Sequence, residues 1–159
     1  MFRYKTTCIG GTFDYVHSGH RLIFTLIALI TDKFIKVGVS ADTLLTSHEK
    51  CYAGYIERAG EVLKFLKSLN PHVNVEIYEL DNPIGLCGSS TDIDACILTR
   101  ESEAGGILIN EKRAANGLSP LKMIFVDQVV ADVEEDGTLI YSNKRSVDNI
   151  RDYVLKKAE

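Results

Sequence analysis

From Tyr4 to Val126 the chain alternates short strand-like apolar runs with longer apolar runs of helical period. That alternation admits few architectures, because strands that each return through a helix lie parallel and bury both faces of their sheet. Tyr4–Ile9, Phe34–Val39, Val73–Leu80, Ala95–Thr99 and Lys122–Val126 read as strands, and the short apolar Ala95–Thr99 run suits the middle of a parallel sheet. Ser18–Ile30, Tyr55–Leu69, Gly105–Asn116 and Ser146–Lys157 read as helices. In the first, Leu22, Ile23, Leu26, Ile27 and Ile30 recur at helical spacing behind Ser18 as the expected N-cap, and Phe24 and Leu29 add apolar surface on other sides. In the second, Ile56, Ala59, Val62, Leu63, Leu66 and Leu69 make the expected inner face, closed by Asn70-Pro71. The expectation is an α/β fold: one Rossmann-like domain over residues 1–159, with a parallel sheet flanked by helices on both faces. Ligands of such sheets bind outside the carboxyl ends of the strands. The polar, Gly-containing stretch Asp81–Asp94 is the candidate for a mobile lid.

Composition excludes several function classes. The 45% hydrophobic and 25% charged content is that of a water-soluble globular chain. A net charge of −4 argues against a nucleic-acid partner, which calls for a basic face. No run approaches 18 uncharged apolar residues and Met1–Cys8 has no long apolar core, so no membrane association is expected and the cytosol is the default compartment. The four cysteines, Cys8, Cys51, Cys87 and Cys96, are widely spaced without a CxxC pair. Reduced thiols are therefore expected, with neither a disulfide framework nor a structural zinc site.

The most informative stretch for chemistry is Gly10-Gly11-Thr12-Phe13-Asp14-Tyr15-Val16-His17-Ser18-Gly19-His20. A glycine-rich turn from a strand into a helix N-terminus offers backbone N–H groups and the positive end of the helix dipole to a phosphate. Two imidazoles at the same helix start point to phosphate chemistry as well as phosphate binding.

With its His17-Ser18-Gly19-His20 motif, this stretch resembles the HxGH nucleotidyltransferase superfamily. Four later blocks resemble the phosphopantetheine adenylyltransferases of eukaryotic and archaeal type. They are Val37–Asp42 followed by Leu44-Leu45, Lys50 followed by Tyr55-x-x-Arg58, Thr99–Arg113, and Gly117-Leu118-x-Pro120-Leu121. The resemblance covers nearly the whole chain. It implies transfer of the adenylyl group of ATP to 4'-phosphopantetheine, giving dephospho-coenzyme A and pyrophosphate in coenzyme A biosynthesis. No GxxxxGK[ST] P-loop is present, so the following phosphorylation is expected from a separate dephospho-coenzyme A kinase. The late motif departs from the family: Ser146-Val147-Asp148-Asn149-Ile150-Arg151 stands where Ser-Ser-Thr-x-Ile-Arg is common. Val147 and Asp148 motivate one rival, a non-catalytic nucleotide-binding regulator. The other rival is a cytidylyltransferase for a small phosphorylated alcohol, whose usual RTEGIST loop is missing here.

The reaction implied by the resemblance assigns roles. His20 stabilises charge on the α-phosphate, His17 lies toward the leaving phosphates, and Thr12 orients the attacking phosphate. Gly10, Gly11, Phe13 and Gly19 belong to the nucleotide site, and the two glycines let the nucleotide approach the backbone. Arg100, Ser146 and Arg151 hold ATP phosphates, while Asp14, Lys50 and Arg58 face the acceptor, the arginines acting as forked phosphate clamps. For Asp14 a turn-closing role, bonded to local backbone, is favoured over a ligand contact. Mg²⁺ is expected with ATP, held by phosphate and water, with no protein ligand assigned.

Overall fold

The computed structural model describes residues 3–45, 53–127, 130–133, 135–137 and 139–141. The expected helix Ser146–Lys157 lies outside them, as do Lys50, Cys51, Ser146 and Arg151. The elements run β1 (Tyr4–Gly11), α1 (Ser18–Ile30), β2 (Thr31–Ser40), α2 (Tyr55–Leu69), β3 (Asn74–Leu80), β4 (Ala95–Thr99), α3 (Glu103–Ala115) and β5 (Lys122–Val126). Three short 3₁₀ turns, Asp42–Leu44, Gly85–Gly88 and Arg100–Ser102, follow β2, β3 and β4. A small antiparallel pair that periodicity did not suggest, β6 (Val130–Val133) with β7 (Leu139–Tyr141), comes last among the described residues.

β1 to β5 form one parallel sheet in the order β3-β2-β1-β4-β5, a Rossmann-like arrangement. Growth of the sheet reverses direction between β1 and β4, so a crevice opens at the carboxyl ends of that pair. Strand pleating sends alternate residues to opposite faces. Ile9, Ile35, Val37, Val39 and Ile97 pack with Phe24 and Ile27 of α1 and with Val62 and Leu66 of α2. Cys8, Cys96 and Leu98 point the other way and pack with Ile109 of α3, Ile93 and Leu121. Each large side chain fully buried in this way contributes about 1.5–3 kcal/mol. Gly106 lets α3 lie close to β4, since a Cβ there would stand 2.6 Å from the Leu98 side chain.

α1 passes directly into β2. The Thr31 hydroxyl donates to the carbonyl of Ile27 at 2.6 Å, which spends its only proton. The buried Thr7 hydroxyl must then be the donor in its 2.7 Å bond to Thr31, tying helix end to β1.

Packing corrects two helical faces. In α1 the buried residues are Phe24, Ile27, Ala28 and Ile30, while Leu22 and Leu29 are exposed. In α2 they are Arg58, Val62 and Leu66, and Ile56 is 80% exposed. The segment Asp81–Asp94 is held as a wall. Asn82 accepts from the N–H groups of Ile84 and Gly85, and Arg113 donates to the carbonyls of Cys87 and Ser90. Asn116 holds the Gly88 carbonyl, and Asp94 accepts from the Thr6 N–H. Among the described residues no helix is long and apolar enough to cross a membrane.

Candidate active site

β1 ends in Gly10-Gly11, and the chain then turns sharply to reach α1. The turn is built on two non-glycine residues in the left-handed region, Phe13 (φ 53°) and Tyr15 (φ 51°), each costing about 1 kcal/mol or more. Phe13 folds back onto Gly11, where a Cβ would stand 2.9 Å from its ring. Its ring also meets His20 edge-on at 5.3 Å and Phe24 at 5.2 Å. The backbone strain is thus held by aromatic packing that fixes where His20 stands.

Sequence alone put Ser18 at the N-cap of α1; the structure puts His17 there. The His17 Nδ1 accepts from the backbone N–H groups of Gly19 (3.2 Å) and His20 (3.4 Å). Imidazole can cap in this way because its unprotonated nitrogen is an acceptor. That assignment places the ring proton on Nε2, leaving Nε2–H as the donor open to a ligand. The two imidazoles stack with centroids 3.7 Å apart and planes inclined by 22°. No acidic residue occupies the first turn of α1, so the positive end of its dipole is uncompensated there.

Burial, then the neighbouring His17, bring His20 down to about 3, partly offset by a backbone hydrogen bond with Tyr15. Burial also lowers His17. Both rings are neutral at pH 7 and act as N–H donors that carry no charge until an anion arrives. A stability consequence follows. Below about pH 6.5 an unfolded histidine takes up a proton that the folded His20 refuses down to about 3. Folding stability therefore falls as pH drops through that window, by up to about 1.4 kcal/mol per pH unit for this one group. Urea unfolding midpoints at pH 7, 5.5 and 4 test it: His20→Gln should show a shallower acid loss than the wild type. Equal slopes would refute the assignment.

Two cavities, of about 700 Å³ and about 520 Å³, meet at this turn, and Gly10, Gly11 and Thr12 line both. The larger is also lined by Phe13, His17, Gly19 and His20, joined by Thr99, Glu101, Ser102 and Asp127 from the ends of β4 and β5. The smaller lies across β1, mostly apolar through Leu44, Leu80, Ile84 and Leu86, with Lys36, Ser40 and Tyr78 as polar groups. Both volumes suit small-molecule ligands.

The remaining expected residues divide. Thr12 stands where the cavities join. Asp14 is buried beneath the turn and lines neither cavity. Arg58 was expected to clamp a phosphate, but its side chain has no exposed surface. Its guanidinium donates to the carbonyls of Ala53 (3.1 Å), Thr12 (2.6 Å) and Ser40 (2.7 Å), and to Asp42 (2.7 Å). Arg58 is a positioning residue that ties the ends of β1 and β2 to the start of α2. The bond to Arg58, and then one from the Tyr55 N–H, hold the Asp42 carboxyl below its ordinary value. Arg100, expected at the nucleotide, does not itself line the larger cavity but pairs at 3.2 Å with Asp127, which does, and stacks over Phe125.

Sequence reasoning missed Lys36, which lines the smaller cavity and whose ammonium contacts Asp92 at 2.8 Å and Glu76 at 3.7 Å. Burial pulls its ammonium down, yet Asp92, Tyr78 and Glu76 together push it above its ordinary value. A lysine inside the apolar strand Phe34–Val39 was the available signal. Thr99 and Glu101, polar residues at the carboxyl end of β4 as the sequence suggests, line the larger cavity, and Ser102 beside them was missed although its place just after β4 could have flagged it.

A family model described as cytidylyltransferase-like matches residues 8–159. The phosphopantetheine adenylyltransferase of Saccharomyces cerevisiae is 32% identical over 151 residues, covering 94% of this chain and 48% of that protein. This chain therefore spans about half the length of the yeast protein. The phosphopantetheine adenylyltransferase of Thermococcus kodakarensis is 28% identical over 128 residues, covering 78% of this chain and 75% of that one. Among solved structures, a protein of unknown function from Archaeoglobus fulgidus matches with a TM-score of 0.69 at 22% identity, over 77% of this chain and 89% of the other. At that identity the likeness concerns the fold.

Proposed function

The chain belongs to the cytidylyltransferase-like family, and from that premise we propose that it transfers the adenylyl group of ATP to 4'-phosphopantetheine, releasing pyrophosphate and forming dephospho-coenzyme A. One observation carries the reading: two ligand-sized cavities meet at Gly10–Thr12, with the stacked histidines on one side only. A group-transfer enzyme needs two substrates held end to end across one reacting phosphorus. The larger cavity takes the nucleotide. The smaller, apolar with few polar groups, takes an acceptor that is largely uncharged beyond its phosphate, in keeping with the names of the yeast and archaeal relatives.

The chemistry needs little from the protein beyond placement. The acceptor phosphate already carries a nucleophilic oxygen, so no general base is required. It attacks the α-phosphorus while the bond to the β-phosphate oxygen breaks and pyrophosphate leaves with the electron pair. Thr12, at the junction, orients the attacking phosphate. The His20 imidazole, with the positive end of the α1 dipole behind it, meets charge growing on the α-phosphate, and the Nε2–H of His17 faces the leaving group. Each neutral imidazole becomes a better donor as negative charge develops near it. Lys50, Ser146 and Arg151 are proposed as further phosphate contacts. Mg²⁺ is proposed to arrive with ATP, neutralising its phosphates. Glu101 and Asp127 offer carboxylate oxygens at the larger cavity, of the hard type that ion accepts. The kinase step that consumes the product is assigned to a separate enzyme, and the cytosol is the proposed compartment.

The test is pyrophosphate release with ATP, Mg²⁺ and 4'-phosphopantetheine, run beside CTP with phosphocholine. Turnover only in the first mixture is expected. Release with CTP and the phosphorylated alcohol alone would replace the substrate assignment with cytidylyl transfer. Tight ATP binding by calorimetry without product in either mixture would support the regulator instead.

A further inference from the structure

The wide spacing of the cysteines argued against a metal site, but folding removes that argument. Cys8 on β1 and Cys96 on β4 are direct cross-strand partners, and the 3₁₀ turn Gly85–Gly88 brings Cys87 against both. The three Sγ atoms all lie within 4.8 Å of one another, with Cys8 and Cys87 at 3.0 Å. We propose that Cys8, Cys87 and Cys96 form a trithiolate site for a soft d¹⁰ cation, Zn²⁺ or Cu(I), on the face of the sheet opposite α1.

Spacing, donor chemistry, charge and access support the site. A cation about 2.3 Å from each of three thiolates holds the sulfurs roughly 3.8 Å apart, a spacing these side chains reach by small adjustment. A disulfide would use two of the three and leave the third unexplained. Donor softness selects the ion class: three sulfurs and no oxygen favour Zn²⁺ or Cu(I) over Mg²⁺ or Ca²⁺. Charge is favourable as well. Arg113 is buried, 4% exposed, and donates only to the carbonyls of Ser119, Cys87 and Ser90, and no ion pair among the described residues involves it. A buried cation without a carboxylate stabilises thiolate charge beside it. Finally, all three cysteines line the smaller cavity, which supplies an entry path and an open fourth position.

The site has a consequence for that cavity. Cys87 belongs to the Asp81–Asp94 wall, whereas Cys8 and Cys96 belong to the sheet. A bound ion would fasten the wall to the sheet independently of what the enzyme transfers.

The 159-residue chain, fully reduced under anaerobic conditions, is titrated with Zn²⁺ against a chromogenic chelator and separately with Cu(I) against a Cu(I)-specific one. Co²⁺ serves as the spectroscopic stand-in for Zn²⁺. One equivalent is expected to bind, with sulfur-to-cobalt charge-transfer absorption in the Co²⁺ form. Cys87→Ala is the informative variant, because Cys87 is only partly buried and its loss leaves both core thiols in place. It should weaken metal binding by about 100-fold or more, since losing even a supporting contact to a ligand costs about 10–100-fold. The metal should raise the Tm of the wild type and leave that of Cys87→Ala unchanged. Three results would overturn the proposal: equal affinity in the two proteins, stoichiometric Co²⁺ without thiolate charge transfer, or a reduced chain that ignores metal but forms a Cys8–Cys87 cross-link on oxidation.

Discussion

Replacing His20 with alanine is expected to lower kcat for pyrophosphate release by about 10²-fold or more, with a much smaller change in the KM for ATP. The magnitude is that of removing one preorganised donor aimed at developing charge. The geometry supplies the preorganisation: His20 stacks on His17 at 3.7 Å, meets Phe13 edge-on at 5.3 Å, and stands in the first turn of α1. Its ring is neutral at pH 7 because burial and His17 bring it down to about 3. The interaction therefore strengthens as charge grows, which is why the loss should fall on kcat. His17→Ala should lower both folding stability and kcat, because it removes the Nδ1 cap of α1 as well as the Nε2–H donor. The double variant should lose less than the product of the single losses, since the rings hold each other in place. Near-wild-type kcat in His20→Ala would remove this residue from the mechanism.

Arg58→Met is expected to destabilise the fold by about 3–5 kcal/mol, the cost of breaking a buried charged network by removing one member. Methionine keeps the volume but leaves the carbonyls of Thr12, Ser40 and Ala53 without their donors. Asp42 softens the loss, because its carboxylate is 59% exposed and can return to water. Arg58→Lys should recover only part, as one ammonium cannot reproduce the fork. Urea unfolding at pH 7 measures this directly. A phosphate clamp would behave otherwise: unchanged unfolding with a raised KM for an anionic substrate. Normal stability in Arg58→Met would restore the clamp and refute the positioning role.

These two residues show how unevenly the site could be read in advance. The histidines lie in one contiguous stretch, and their proximity follows from helix geometry, since positions three apart share a face. Arg58 sits in a helix whose apolar pattern was complete without it, so hydropathy sent it outward. Its actual place depends on three carbonyls from separate segments, and no local pattern encodes their convergence. The Ser18 expectation failed for a related reason. Serine is the commoner cap, but the turn through Phe13 and Tyr15 carries the His17 ring over the first N–H groups. Arg100 reads as a clamp because it ends a strand, and its contacts with Asp127 and Phe125, both C-terminal to β4, could not be read from local sequence.

The order of strands and helices from β1 to β5, the parallel sheet and the crevice at the carboxyl end of β1 were determined by the sequence alone. They rest on periodicity, which is local and repeated often enough to override single exceptions. Helix bounds show it: Tyr55–Leu69 and the Ile30 end of α1 stand as read, while the buried faces within these helices shifted. Tertiary structure alone decided which polar side chains face a ligand and which face the protein. It moved Arg58 into the interior, placed Lys36 in the smaller cavity, turned Asp81–Asp94 into a tethered wall and brought three distant cysteines together. The physical reason is common to all four. Each outcome depends on pairing groups far apart in the chain, and a buried charge or donor goes wherever partners from other elements can satisfy it.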